Sequence, residues 1–283
     1  APMVEAALHA GVHYVDLSGE WAAIEGVRRY GAQARQRGVM LMPAAGFDVV
    51  PSDCLALHVA SRVPGARHLV IAVSGLELYS RGSVRTLGEF AGDAVRVRRN
   101  GALVTVPPGS LQRTFDFGAG PRPAYALSWA DVSTAYYTTG IPNIEVYYEA
   151  NPLLHANLAI NRWLGALARN PFMRMGFDAF VQALPDGPSD MERAGRRAVV
   201  IAEADDGAGR LVRSRLWTPE AYGFTCTTSL AIAQRVMAGN LEPGFQTPAR
   251  VYGADWILGL PGVHREDALP SASTASAPAT RLT

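Results

Sequence analysis

The chain has 283 residues, 48% hydrophobic and 18% charged, which is enough apolar material for a sizeable core and excludes a largely disordered or fibrous protein. With 26 basic against 25 acidic residues, no field of one sign is available to gather nucleic acid. All the basic residues are arginine, so Schiff-base, P-loop and general-base lysine chemistries are excluded and the cations suit clamping of carboxylates or phosphates.

In chain order, the start reads as a helix with Pro2 in its first turn and Gly11 at its end. A β-prone run from Val12 to Leu17 follows. A helix from Glu20 closes at Gly38, with Trp21, Ile24 and Val27 on one face. Val39 to Met42 is an unbroken apolar run between Gly38 and Pro43, which suits a strand buried on both faces. Helix, strand, helix, strand at this spacing is a parallel βαβ pattern. Loops after parallel strands emerge at one sheet edge, where ligands of open α/β sheets bind. Two loops qualify: Asp16 to Glu20, and Ala44 to Asp53. Ser52 and Asp53 are expected at the start of a helix from Cys54 to Val63, as caps and beside an N-terminus that can hold an anion.

After Pro64-Gly65 strands and helices mix. Strands are expected at His68 to Val73, Arg113 to Phe117, Ala124 to Leu127 and Asn143 to Tyr148, with a helix at Ser83 to Ala91. Val95 to Arg99 and Leu103 to Val106 flank the hairpin signal Asn100-Gly101, and Arg196 to Glu203 pairs with Arg210 to Trp217. Thr218-Pro219 then reads as a cap followed by proline, opening a helix with Cys226, Leu230, Ala233 and Met237 on its apolar face. Gly239-Asn240 ends it, and a shorter helix runs from Pro248 to Leu258. The tail beyond Pro270 holds little but Ser, Ala, Thr and Pro and is expected to be disordered. Pro152 to Val181 carries amphipathic stretches that serve either a core or a membrane surface and acyl chain.

Gly11-Val12-His13-Tyr14-Val15-Asp16-Leu17-Ser18-Gly19-Glu20, Gly46-Phe47-Asp48-Val49-Val50-Pro51-Ser52-Asp53 and Gly140-Ile141-Pro142-Asn143 resemble phrases of the saccharopine dehydrogenase-like oxidoreductases, especially the bacterial branch that includes trans-acting enoyl reductases. The likeness runs from Ala1 to about His264. It implies an α/β fold made of the C-terminal part of a Rossmann-like doubly wound parallel sheet plus an α+β substrate domain. The implied division is a dinucleotide-binding remnant at 1–62, a substrate domain at 63–217, returning helices at 218–268 and a tail at 269–283. It further implies NADP or NAD as cofactor, with Asp16, Gly19, Glu20, Gly46, Phe47 and Asp48 near the nicotinamide. The reaction implied is hydride transfer to a double bond of a lipid-linked or polyketide-like substrate.

The family's glycine-rich fingerprint is missing. Gly118-Ala119-Gly120 is followed by Pro121-Arg122-Pro123, a turn rather than a phosphate loop. The expectation is therefore an N-terminally truncated reductase, inactive alone, with no counterpart for a catalytic lysine. Asp16 and Glu20 can both face the cleft, one as proton shuttle, or Glu20 can support its helix through the dipole. His13 reads as a core residue, and so do Cys54 and Cys226. The polar run Asp131, Ser133, Thr134, Tyr136, Tyr137 reads as a helix start with exposed hydroxyls. The histidines show no metal-ligand spacing, so no metal is expected. The competing reading is a non-catalytic lipid- or membrane-interacting module. A cytoplasmic location, peripheral membrane contact through 152–181 and a homodimer complete the expectations.

Overall fold

The computed structural model describes residues 2–76, 80–82, 84–85, 94–152, 154–155, 176, 179–184 and 186–267. Most of the expected helix at Ser83 to Ala91, most of the amphipathic stretch at 152–181 and the tail at 269–283 lie outside them.

Helix α1 (Pro2–Ala10) ends at Gly11, whose φ of 68° is the left-handed stop the sequence signals. Strand β1 (Tyr14–Val15) keeps only the middle of its β-prone run. The helix expected from Glu20 to Gly38 is two helices, α2 (Trp21–Arg28) and α3 (Gly31–Gln36). The break seats Gly31 against β11 (Gly244–Phe245), where a Cβ would stand 3.0 Å from Phe245 Cβ. Strand β2 (Met40–Met42) is buried throughout and pairs in parallel with β1 on one side and β11 on the other.

Helix α4 (Val50–Ser61) starts four residues earlier than expected, because Pro51 fits its first turn and the Val50 N–H is taken by Gly46 O at 3.0 Å. Every residue from Val50 to Ala56 is buried. A helix buried all round shows little amphipathic period. It packs against strands β3 (His68–Ser74), β9 (Arg197–Asp205) and β10 (Leu211–Pro219) of a second sheet. That sheet runs β12 (His264–Asp267), β10, β9, β3, β8 (Asn143–Glu149), β4 (Val95–Arg99), β5 (Ala102–Val106). Its β3 and β8 are parallel and the other neighbours antiparallel. The hairpin β6 (Gln112–Asp116) and β7 (Pro121–Ala126) joins through β8.

One core is built from Met40, Met42, Phe47, Val50, Leu55, Leu69, Ile71, Ile144 and Val200, so β2, α4 and the second sheet share it. On the sheet's other face Phe115, Phe117, Tyr147 and Ile201 form a separate cluster. There buried Glu203 lies between Arg113 at 2.8 Å and Arg213 at 2.6 Å.

A one-turn helix α6 (Asp190–Arg193), capped by Ser189, precedes β9. Three late boundaries move. Thr218 and Pro219 are the last residues of β10, opposite Ala198 and Arg197, and Glu220 caps α7 (Ala221–Met237) by accepting the N–H groups of Tyr222 and Gly223. The face of α7 turned inward is Phe224, Thr228 and Ile232, while Cys226, Leu230 and Met237 are exposed. The expected last helix splits at Gly253, φ 85°, into α8 (Pro248–Tyr252) and a 3-10 turn at Trp256–Gly259.

Candidate functional site at the edge of the parallel sheet

The loops following β1 and β2 meet, and Asp16 joins them. Its Oδ1 accepts the N–H groups of Ser18 at 2.8 Å and Ala44 at 3.0 Å, and its Oδ2 accepts the Tyr14 hydroxyl at 2.5 Å. The Ala45 N–H returns to Asp16 O at 2.8 Å. These bonds hold buried Ala44 at φ 60°, a left-handed conformation that a non-glycine residue adopts only under external restraint. Asp16 thus builds the edge, and burial together with this carboxylate raises the Tyr14 phenol above its usual range.

Gly19 and Asp48 touch across the loops: a Cβ on Gly19 would lie 2.5 Å from Asp48 Oδ2. Burial, with a smaller contribution from the Glu20 carboxylate, pushes Asp48 up to about 6. It is therefore an acid poised near neutrality. Trp129 Nε1 donates to Asp48 O at 2.9 Å, and Glu20 stands at the N-cap of α2 without a side-chain capping bond. The loop's floor is α7. Thr225 Oγ1 accepts the Phe47 N–H at 3.0 Å, Thr228 donates to Ala45 O at 3.0 Å, and a Cβ on Gly46 would meet Thr225 Cγ2 at 3.0 Å. The Phe47 ring belongs to the core. What Phe47 and Gly46 present at the edge is backbone, with Asp48 and Glu20 supplying carboxyl groups.

Behind this loop lies a polar cluster that sequence reasoning missed. Asp131, Ser133 and Thr134, expected to expose their groups, are fully buried in α5 (Asp131–Thr139). Ser52 Oγ lies 2.6 Å from Asp131 Oδ1 and 2.9 Å from Val49 O. Asp53 accepts the Thr138 hydroxyl at 2.5 Å and the Ala249 N–H at 2.8 Å. Asp53 is thus a cap for α8 and not for its own helix. Burial raises Asp53 to about 6, against the lowering effect of Thr138, Ala249 and Thr247. The available signal was the spacing of Asp131, Thr134 and Thr138, which places three polar groups on one helical face. These carboxyl groups surround the first turn of α4, so the anion expected at that N-terminus finds acids already there.

Glu25 of α2 gathers a second cluster: Arg98 at 3.0 Å, Ser133 at 2.8 Å and the Tyr137 hydroxyl at 2.7 Å. Arg98, also bonded to Val132 O and Gly101 O, lies over the Tyr136 ring at 4.1 Å. His13 is exposed rather than core, its Nδ1 accepting the Met40 N–H at 3.1 Å, because β1 begins after it. Cys54 is buried, whereas Cys226 is exposed on the outer face of α7. No group of metal-ligating side chains occurs among the described residues.

A dinucleotide needs two ends held. Asp48 and Glu20 bring to this edge carboxyl groups, which accept from amide and hydroxyl donors. A pyrophosphate needs free N–H groups. Those of Gly118 and Gly120 are both donated to Asp116 Oδ1, at 2.8 and 3.0 Å, in the β6–β7 turn. That glycine pair therefore does not fit a phosphate.

Comparison with solved structures shows the fold. The homospermidine synthase of Legionella pneumophila, solved in complex with NAD, superposes with a TM-score of 0.58 at 9% identity over 100% of this chain and 77% of that one. Saccharopine dehydrogenase (L-Glu forming) of Saccharomyces cerevisiae gives 0.55 at 10% identity, over 94% and 82%. The α/β architecture is thus shared with these two structures. Among curated proteins, a lipid droplet localized protein of Caenorhabditis elegans is 42% identical over 52 residues, which is 18% of this chain and 12% of that relative. No family model matches the chain.

Proposed function

We propose that the chain is part of an NAD(P)H-dependent oxidoreductase of the saccharopine dehydrogenase-like group, with the loops at Asp16 to Glu20 and Gly46 to Asp48 facing the nicotinamide. The observation that carries this is the seating of Asp48 against Gly19, beside Glu20, at the carboxyl ends of parallel strands, where dinucleotides and substrates meet in such sheets. The bound cofactor supplies the hydride. The chain's residues bind and orient: Asp16 sets the edge, Gly19 leaves room for Asp48, and the Asp48 carboxyl accepts or holds a proton at its Oδ atoms near neutral pH.

The pyrophosphate half is assigned to none of the described residues, the Gly118–Gly120 turn being closed on Asp116. The proposed division is 1–62, 63–217 and 218–268; β11 pairs with β2 of the parallel sheet, in its favour, whereas β12 pairs with β10 in the second sheet. The substrate proposed is lipid-linked or polyketide-like, carrying a polarised double bond, as in the enoyl reductases the motifs resemble. A second reading, a non-catalytic module at a lipid surface, is favoured by the short match to a lipid droplet localized protein. Among the described residues no helix is long and apolar enough to cross a membrane, so such contact is proposed as peripheral.

Calorimetric titration with NADH and NADPH, on this chain and on one extended upstream in its gene, tests the proposal. Binding by the extended chain, with or without binding by the shorter one, supports the oxidoreductase. Binding by neither removes the nucleotide role and leaves the lipid-surface module.

A further inference from the structure

Asp131 is fully buried, and its Oδ2 has no hydrogen-bond partner. Its Oδ1 contacts Ser52 Oγ at 2.6 Å, and Ser52 Oγ also lies 2.9 Å from Val49 O. Ser52 has one hydroxyl proton. The Val49 carbonyl and an ionised carboxylate can both only accept, so that one proton serves one of them, whereas a proton on Asp131 lets Ser52 donate to Val49 O and accept from Asp131. Only with Asp131 protonated are both contacts of Ser52 hydrogen bonds.

The surroundings agree. From α4 and the loop before it Asp131 faces Ser52, Asp53 and Asp48, two of them acids. From α2 comes Glu25, already bonded to Arg98, Ser133 and Tyr137. The guanidinium of Arg98, from β4, is spent on Val132 O, Gly101 O and Glu25. Strand β8 directs Glu145 and Glu149 to Arg99 and Arg122. An ionised Asp131 would leave one oxygen unpaired and dry beside two other acids, the costliest way to bury a carboxylate. Burial accordingly pushes its carboxyl well above the usual range, reinforced by Asp53 and Asp48, and this outweighs the lowering that the Ser52 hydroxyl and the Asp131 N–H exert when they donate to the carboxylate.

We infer that Asp131 is carried in the folded chain as an uncharged carboxylic acid whose proton bridges to Ser52, making it the positioning residue of the first turn of α4 and of the Gly46–Asp48 loop that leads into it. The inference rests on the proposed function only for what that loop binds. Ser52 and Asp48 are joined by one turn of chain, and Trp129, two residues before Asp131, donates to Asp48 O. Asp131 thus ties α5 to the loop from behind while Trp129 ties it from the side.

The test uses the whole chain and no cofactor, so failure of nicotinamide binding does not bear on it. Aspartate carboxyl groups are labelled with 13C and followed by NMR as pH rises. Asp48 and Asp53 titrate first, and one protonated carboxyl signal is expected to persist above neutrality; its absence overturns the inference. The Gly46 and Asp48 amide signals are expected to shift when that last carboxyl titrates. If they stay still, Asp131 does not position the loop. Asp131→Asn, an uncharged isostere, gives a second readout. Its melting temperature relative to the parent is expected to rise steadily above about pH 4. A difference that is constant with pH, or that falls, overturns the inference.

Discussion

Gly19 shows how a single missing side chain shapes the edge. In Gly19→Ala the new Cβ lands 2.5 Å from Asp48 Oδ2, the tip of a movable side chain. The fold is expected to absorb the change, within about 1 kcal/mol, while Asp48 swings outward and loses its raised pKa. An Asp48 signal titrating near 4 instead of about 6, with weaker nicotinamide binding by any chain that binds, would confirm it. The residues near this edge were legible because glycines and acids after parallel strands are a local pattern. What Asp16 does was not legible, since its partners Tyr14, Ser18 and Ala44 come from both loops. Asp131 was misread for the same reason: whether its polar run meets water or α4 depends on packing against residues 79 positions away.

Among the elements, α7 carries the clearest lesson. Its residues Cys226, Leu230, Ala233 and Met237 look like an apolar face, yet Leu230 is 60% and Met237 87% exposed. The buried face contains Thr228, whose hydroxyl is spent on Ala45 O, so hydropathy discounted the side that packs. Ile232→Ala is expected to cost about 2–5 kcal/mol, whereas Leu230→Glu should stay within about 0.5 kcal/mol. Urea unfolding of both variants measures the difference, and equal losses would reverse the assignment of faces. Strands were read more reliably than helices, because β3, β8, β9 and β10 are marked by β-branched runs and by turn residues such as Asp206 and Gly207. Helix ends moved wherever a cap came from elsewhere, as Glu220 for α7 and Asp53 for α8 show.

For the whole molecule, the buried acids dictate how stability follows pH. Asp48 and Asp53 are raised to about 6, so the folded chain holds protons that the unfolded chain releases. Stability therefore falls as pH rises from about 4 to about 6, by roughly 3 kcal/mol from Asp53 alone. Asp267, which accepts from Ser214 and His58, is lowered by those bonds. Its contribution is lost only as pH falls below the usual carboxylate range. The two trends place maximum stability at roughly pH 4–5. Thermal melting across pH checks this, and a maximum at or above neutrality would contradict it. Asp53→Asn should flatten the slope between about pH 4 and 6.

The α/β class, the order of most strands, the two loops that follow the parallel strands and the lack of a glycine-rich phosphate fingerprint in the sequence all followed from the amino-acid sequence by itself. Each depends on periodicity or on residues close together in the chain. Tertiary structure alone decided which face of α7 is buried, that Asp53 caps α8, and that Asp131 and Ser52 form a dry pair behind the loop. Those outcomes depend on desolvation and on hydrogen-bond partners far apart in sequence, and a polar residue's meaning changes once water is removed from around it.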